Sequence, residues 1–284
     1  MEIRREGGFI EPDRSLDSVP FDDLHKRLDI TIMSGHRADL APFGPMDLGF
    51  LGILSNIKVH SGYEDQCTAK YYYDMYSIVD NEGSDIDRIV EAGVFMGGSS
   101  VILAGCAKRL DTEFVMIDIT ERYLQFAYQR LIRSFPEAAS RVKLYLGDLP
   151  LYVRDVLVPE QSQARLMVHH DAGHSFQDLV RDMGALSFVK DRLIGVMVQD
   201  THLRGPPEGM RFVDLGLMGV FGHDLQYVGM GSVYTEEEHP ELLKPNKWRG
   251  GYFLPDKLEG MYVPMGYNRF EYPHPLITLD QFFW

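Results

Sequence analysis

The chain has 284 residues, of which 28 are basic and 42 acidic, for a formal net charge of −14. That surplus disfavours nucleic acid and anionic membranes as partners, because both select positive surfaces. Hydrophobic residues make up 45 % and charged residues 25 %, a mixture that can bury a core without disulfides or metals to staple it. Met1 to Phe9 is charged and lacks an apolar signal core. No run of 18 apolar residues suggests a membrane span. Residues 1–84 form an N-terminal extension, a lid or oligomerisation piece, with weak periodicity and scattered prolines (Pro12, Pro20, Pro42, Pro45). Within it, Ala69 to Val79 predicts an aromatic helix with one apolar face, followed by a loop at Asn81 to Asp85. The chain's two cysteines, Cys67 and Cys106, make no disulfide framework, and two reduced thiols fit a cytoplasmic protein.

From residue 85 to 233 strands and helices alternate. The predicted strands are Arg88–Val94, Glu113–Ile119, Arg141–Leu146, Ala164–Val168, Leu193–Val198 and Leu225–Gly229. Between them lie predicted helices at Ser99–Leu110, Arg122–Phe135, Leu151–Leu157, Ser175–Val189 and Gly209–Val220. Serines at the start of the first can cap free N–H groups, and Cys106 on it reads as buried and inert. In the fourth, Phe176, Leu179, Val180, Met183, Leu186 and Phe188 are the expected inward residues. The alternation predicts an α/β fold with a mostly parallel sheet covered by helices on both faces. Residues 234–284, rich in Pro, Gly and aromatics, receive no assignment beyond completing the core or making substrate or dimer contacts. Phe282-Phe283-Trp284 is an apolar terminus of the sort that docks on a core or a second subunit, and a homodimer is expected.

In an open parallel sheet, ligands bind beyond the carboxyl ends of the strands. Here those ends read Glu91-Ala92-Gly93, Asp118, Gly147-Asp148, Asp171 and Asp200. The first turn, Glu91 to Ser100, has glycines that let the backbone approach a ligand, and the helix after it offers N–H groups to an anion. The spacing of Gly93 and Gly97 does not fit the G-x-G-x-x-G of dinucleotide folds. It fits E-x-G-x-x-x-G, the first motif of class I S-adenosylmethionine (SAM)-dependent methyltransferases. Asp118, 25 residues after Gly93, can then accept both ribose hydroxyl protons.

VEAGVFMGGSSVILAG resembles the glycine motif of the small-molecule O-methyltransferases related to macrocin O-methyltransferase and to the cephalosporin-hydroxylase-like group. HHDAGHSFQDLVRDM resembles their D-x-x-H segment after the fourth strand, and VMVQDTH their fifth-strand end. The resemblance spans roughly residues 85 to 205. It implies a Rossmann-like class I methyltransferase fold with SAM as cofactor. Glu91, Gly93, Phe95 and Gly97 would contour the methionine part, with Ser99 near its carboxylate. Asp118 would hold the ribose, and Gly147 and Asp148 would flank the adenine. In such relatives acids after the fourth and fifth strands bind Mg²⁺; the matching positions are Asp171 and Asp200. The relatives tend to have two adjacent acids after the fifth strand, whereas this chain has Gln199 before Asp200. With histidines nearby, another divalent metal becomes an alternative to Mg²⁺.

Four histidines surround the site. His169 and His170 end a strand and must point to opposite faces, so at most one can face the site, and His169 reads as packed. His174 is a helix cap or the general base, with the base favoured; His202 is a second base or a ligand. Asp171, His174 and His202 are thus the catalytic candidates. Tyr71, Tyr72, Tyr73 and Tyr76 read as helix packing, with a lid over a sulfonium as the other option. Trp248-Arg249-Gly250-Gly251 reads as a specificity loop. The leading function is metal-assisted O-methylation of a small hydroxylated molecule such as a sugar, polyol or natural product. The alternatives are a metal-dependent hydrolase built on His170, Asp171, His174, Asp200 and His202, and a non-catalytic adenosyl-binding scaffold.

Overall fold

The computed structural model describes residues 6–32, 39–60, 67–203, 212–234 and 257–283. A short N-terminal strand, β1 (Gly8–Ile10), precedes five strands of the alternating region: β2 (Arg88–Ala92), β3 (Glu113–Asp118), β4 (Val142–Leu146), β5 (Leu166–His170) and β6 (Leu193–Gln199). Two more follow, β7 (Val228–Val233) and β8 (Leu258–Pro264). All eight form one sheet in the order β1-β4-β3-β2-β5-β6-β8-β7. Strands β2 to β6 pair in parallel, whereas β1 and β8 run antiparallel to their neighbours. β2, β5 and β6 are buried at every position, which is why Leu193–Val198 runs apolar without alternation, while β2 and β5 bury paired polar groups such as Glu91 and His169.

The α-helices among the described residues are α1 (Leu24–Arg27), α2 (Leu48–Leu54), α3 (Ala69–Asn81), α4 (Gly98–Leu110), α5 (Glu121–Ser134), α6 (Leu149–Tyr152), α7 (Phe176–Leu186), α8 (Val213–Phe221) and α9 (Leu279–Phe282). One core joins α3, α4 and α5 to one face of the sheet, through residues such as Tyr71, Met75, Leu103 and Leu131. A second joins α7 and α8 to the other face, through Leu179, Met183, Leu217 and Val220. A third, smaller cluster sets Leu16, Leu24 and Ile30 of the N-terminal segment against Met96 and Phe126. Each large apolar side chain so buried contributes about 1.5–3 kcal/mol. The result is a Rossmann-like α/β sheet with helices on both faces, as expected. Strand order reverses between β2 and β5, because β2, β3 and β4 step toward one edge while β5 and β6 step toward the other. That reversal opens the crevice where ligands bind in such sheets.

The aromatic helix is present and two residues longer than expected, with Tyr71, Tyr72 and Tyr76 buried as packing residues. Of the inward set on α7, Leu179, Met183 and Leu186 are buried, and Val180 and Phe188 pack partly against the same core. The serines after the glycine turn do not cap α4: its N-cap is Gly97, and the Ser99 and Ser100 hydroxyls go elsewhere. His174 is not the cap of α7 either; Ser175 is, accepting from the Asp178 N–H. The last strand of the alternating region begins at Val228, three residues later than expected, and the helix before it begins at Val213. β8 came from the tail left unassigned, because buried Glu259 and Gly260 interrupt its apolar run. Phe282 docks on Phe188 of the same chain, ring centroids 5.4 Å apart, so that apolar residue already has an intrachain contact. Trp284 and the Trp248–Gly251 loop lie outside the described residues. Among the described residues no helix is long and apolar enough to cross a membrane.

Candidate functional site

The ends of β2 and β5 clasp each other at the switch point. The Asp171 N–H donates to the Ala92 carbonyl at 2.8 Å. Gly93 turns away with φ +85°, and a Cβ there would stand 2.1 Å from the Asp171 carbonyl oxygen. Only glycine permits that approach. The turn continues through Phe95 at φ 45° and Gly97 at φ 72°, then enters α4.

Beneath the turn, Glu91 is fully buried and accepts from the Ser99 and Ser100 hydroxyls at 2.5 Å each. Its strand partner His169 places Nδ1 3.3 Å from Glu91 Oε1 and Nε2 3.0 Å from the Tyr71 hydroxyl. A buried polar chain thus runs from α3 through two strands to the first turn of α4. His169 is packed, as expected. His170 points to the opposite face and pairs with Asp182 at 2.9 Å. It is therefore not among the residues facing the crevice, and the five-residue hydrolase cluster does not assemble.

Asp118, at the end of β3, braces the same turn. Its Oδ2 accepts from the Val94 and Phe95 N–H groups at 3.0 and 3.2 Å, and its Oδ1 from Thr120 at 2.8 Å. Burial pushes its pKa up; the three N–H donors oppose that shift without cancelling it. Asp148, after β4, caps α6 by accepting from the Leu151 N–H at 2.9 Å and lies 3.1 Å from Arg181. Its pKa is also raised, mainly by burial. Gly147 donates to the Asp118 carbonyl at 2.9 Å, so the β3 and β4 ends are tied together.

One strand along, Asp171, His174 and Asp200 converge. His174 Nε2 lies 3.2 Å from Asp171 Oδ1 and 3.2 Å from Asp200 Oδ2. One ligand atom from each of the three falls within 4.8 Å of the others, the arrangement needed to hold a cation. Asp200 adopts φ 61°, a left-handed conformation that aspartate reaches more readily than most residues other than glycine. Gln199 is buried with its amide against the Asp171 carboxylate, and matching of donors to acceptors assigns the amide nitrogen to that side. His202 is buried and stacks on Tyr234 with centroids 4.0 Å apart.

The floor of the site comes from parts of the chain that the sequence reading favoured as packing, as for Tyr71, or left without a role, as for Glu259. Cys67 and Tyr71 are buried there, and burial, with Asp171, Glu259 and Asp200 nearby, pushes both well above their usual pKa. Glu259 of β8 accepts from the Thr68 N–H at 2.7 Å, the Thr68 hydroxyl at 2.5 Å and the Ser232 N–H at 2.9 Å. Thr68 is the N-cap of α3, so this carboxylate joins the N-terminal helix to the C-terminal strand. No local signal could have revealed that pairing across 191 positions.

The sequence matches no protein-family model and no curated protein. Among solved structures, the chain is similar to the O-methyltransferase TomG of Streptomyces achromogenes, involved in tomaymycin synthesis and solved with SAM. Identity is 18 %, the alignment covers 90 % of this chain and 91 % of that one, and the TM-score is 0.44. It is also similar to an O-methyltransferase from Bacillus cereus solved with SAH, at 14 % identity over 77 % of this chain and 91 % of that one, with a TM-score of 0.44. The fold assignment rests on the strand order of the chain's own sheet, which is that of a doubly wound, Rossmann-like α/β protein.

Proposed function

We propose that the chain transfers the methyl group of SAM to a hydroxyl oxygen of a small molecule. The observation that carries this reading is the juxtaposition at the switch point. A glycine turn braced by Asp118 lies beside the Asp171–His174–Asp200 triangle, with Gly93 pressed against the Asp171 backbone. In this reading Glu91, Gly93, Phe95 and Gly97 shape the methionine site, and Ser99 at the start of α4 lies near its carboxylate. Asp118 holds the ribose, and Gly147 and Asp148 flank the adenine. The sulfonium then points toward the triangle, where the acceptor hydroxyl sits.

The donor set of two carboxylates and an imidazole fits a divalent cation. Such an ion on Asp171 and Asp200 would lower the pKa of a bound hydroxyl and orient vicinal oxygens of a sugar, polyol or natural product. Its proton leaves to a histidine, either His174 within the triangle or His202, which is buried and stacked on Tyr234. The sulfonium is already activated, so holding the oxygen in line with the methyl carbon supplies most of the remaining acceleration.

Thermal-shift and calorimetric titration with SAM and its demethylated product tests the cofactor, with NAD as control. At a hundredfold excess over Kd, a ligand of the native state adds about 2.7 kcal/mol, a shift of several degrees. Asp171→Ala should keep SAM binding and lose transfer. Absence of stabilisation by either adenosyl ligand overturns the proposal.

A further inference from the structure

We infer that His174 is itself a metal ligand, and that the Asp171–His174–Asp200 site takes a divalent transition ion of the manganese-to-zinc series in preference to Mg²⁺. This rests on the proposed metal at Asp171 and Asp200, and it names the ion's class.

The spacing is the first argument. His174 Nε2 is 3.2 Å from one oxygen of each carboxylate. Metal–ligand bonds of about 2.1 Å put neighbouring ligand atoms about 3.0 Å apart in an octahedron and about 3.4 Å apart in a tetrahedron. The two edges from His174 thus have the length one ion needs, and the third edge, between the carboxylates, lies within 4.8 Å, so one ion can draw the three atoms together and leave open positions for the oxygens of an acceptor. A single N–H on Nε2 can be aimed at only one of the two carboxylates. A cation satisfies both carboxylates and the nitrogen lone pair together.

The second argument is Gln199. It stands where a second acid would extend an all-oxygen site, yet it carries no charge, and matching of donors to acceptors assigns its amide nitrogen to the Asp171 side. An amide nitrogen has no lone pair to offer a metal. Gln199 instead fixes the orientation of a ligand carboxylate, the usual role of an outer partner. The third ligand on this edge is then the imidazole, and a nitrogen donor disfavours Mg²⁺, which prefers oxygen, relative to first-row transition ions. A ligated Nε2 cannot also accept a proton, so His202 becomes the base of the pair.

Mn²⁺ is the probe, added to the full-length chain and followed by calorimetry and pulsed EPR. The expected result is a directly bound ¹⁴N coupling that changes to ¹⁵N in protein labelled with ¹⁵N-histidine. Affinity should exceed that for Mg²⁺ by about tenfold or more. His174→Ala, checked for an unchanged melting curve, should lose the coupling and weaken Mn²⁺ by about tenfold or more, with little effect on Mg²⁺. Mn²⁺ bound without nitrogen coupling overturns the inference and leaves a metal on the two carboxylates. No Mn²⁺ binding at millimolar concentration overturns both, while the SAM titration separately decides the methyl-transfer reading.

Discussion

Replacing Gly93 with alanine should damage stability and site geometry together. The backbone there has φ +85°, and holding an L-residue at positive φ costs about 1–2 kcal/mol. The new Cβ would stand 2.1 Å from the Asp171 carbonyl oxygen and 2.4 Å from its carbon. Ordinary contact lies near about 3.5 Å, so the Asp171 peptide must retreat by about 1 Å or more. That retreat strains the Asp171 N–H bond to Ala92, 2.8 Å long, adding about 1 kcal/mol. Together these give a loss of about 2–3 kcal/mol, in the range of backbone substitutions at special positions. The Asp171 carboxylate moves with its backbone, and a displacement of about 1 Å in a reacting constellation costs about a hundredfold in rate. Urea denaturation, with SAM and Mn²⁺ titrations, measures both effects. Gly52→Ala on α2 is the control: a Cβ there meets nothing within 4 Å, and alanine should leave stability unchanged or raise it by up to about 1 kcal/mol. A Gly93→Ala protein that loses under about 0.5 kcal/mol and binds SAM and metal normally would refute the argument.

Tyr71→Phe removes the hydroxyl bonded to His169 Nε2 and leaves a buried ring nitrogen without that partner. A loss of about 1–3 kcal/mol is expected in denaturant melts, and an unchanged midpoint would show the bond to be unimportant. Glu160 is held at a pKa of about 2 against its ordinary 4.5, chiefly by its hydrogen bond from Arg88, with Arg192 adding to the effect. A depressed carboxylate stabilises fully above its unfolded pKa and loses that contribution as pH falls from 4.5 toward 2. The contribution is at most about 3 kcal/mol. Glu160→Gln should therefore lower Tm near neutrality and flatten its acid limb; an acid limb as steep as that of the unmodified protein would count against the assignment.

The parallel centre of the sheet was legible because strands buried on both faces leave long apolar runs, as in Leu193 to Val198. The acids at the strand ends were legible because each closes such a run. What the sequence hid was pairing at a distance. Tyr71 reads as one more aromatic on a helix face until its hydroxyl is seen against His169, 98 residues away. Ser99 and Ser100 look like helix caps, yet their hydroxyls donate to the buried Glu91 carboxyl instead. β8 was missed for a related reason: Glu259 looks polar in sequence, and its partners among the described residues, Thr68 and Ser232, lie far away or on another strand.

The position of β8 also governs when the molecule can be finished. It is translated after β7 but lies between β6 and β7 in the sheet. A nascent chain that has released everything through Val233 therefore carries β6 with an open, apolar edge and β7 with no strand to join. Such an edge invites pairing with other chains. The same nascent chain has Thr68 without the carboxylate that anchors the N-terminal helix. The site floor, drawn from residues 67–71, can be fixed in place only after Leu258–Pro264 has left the ribosome, so the intermediate that precedes it is the one most exposed to aggregation and chaperone capture.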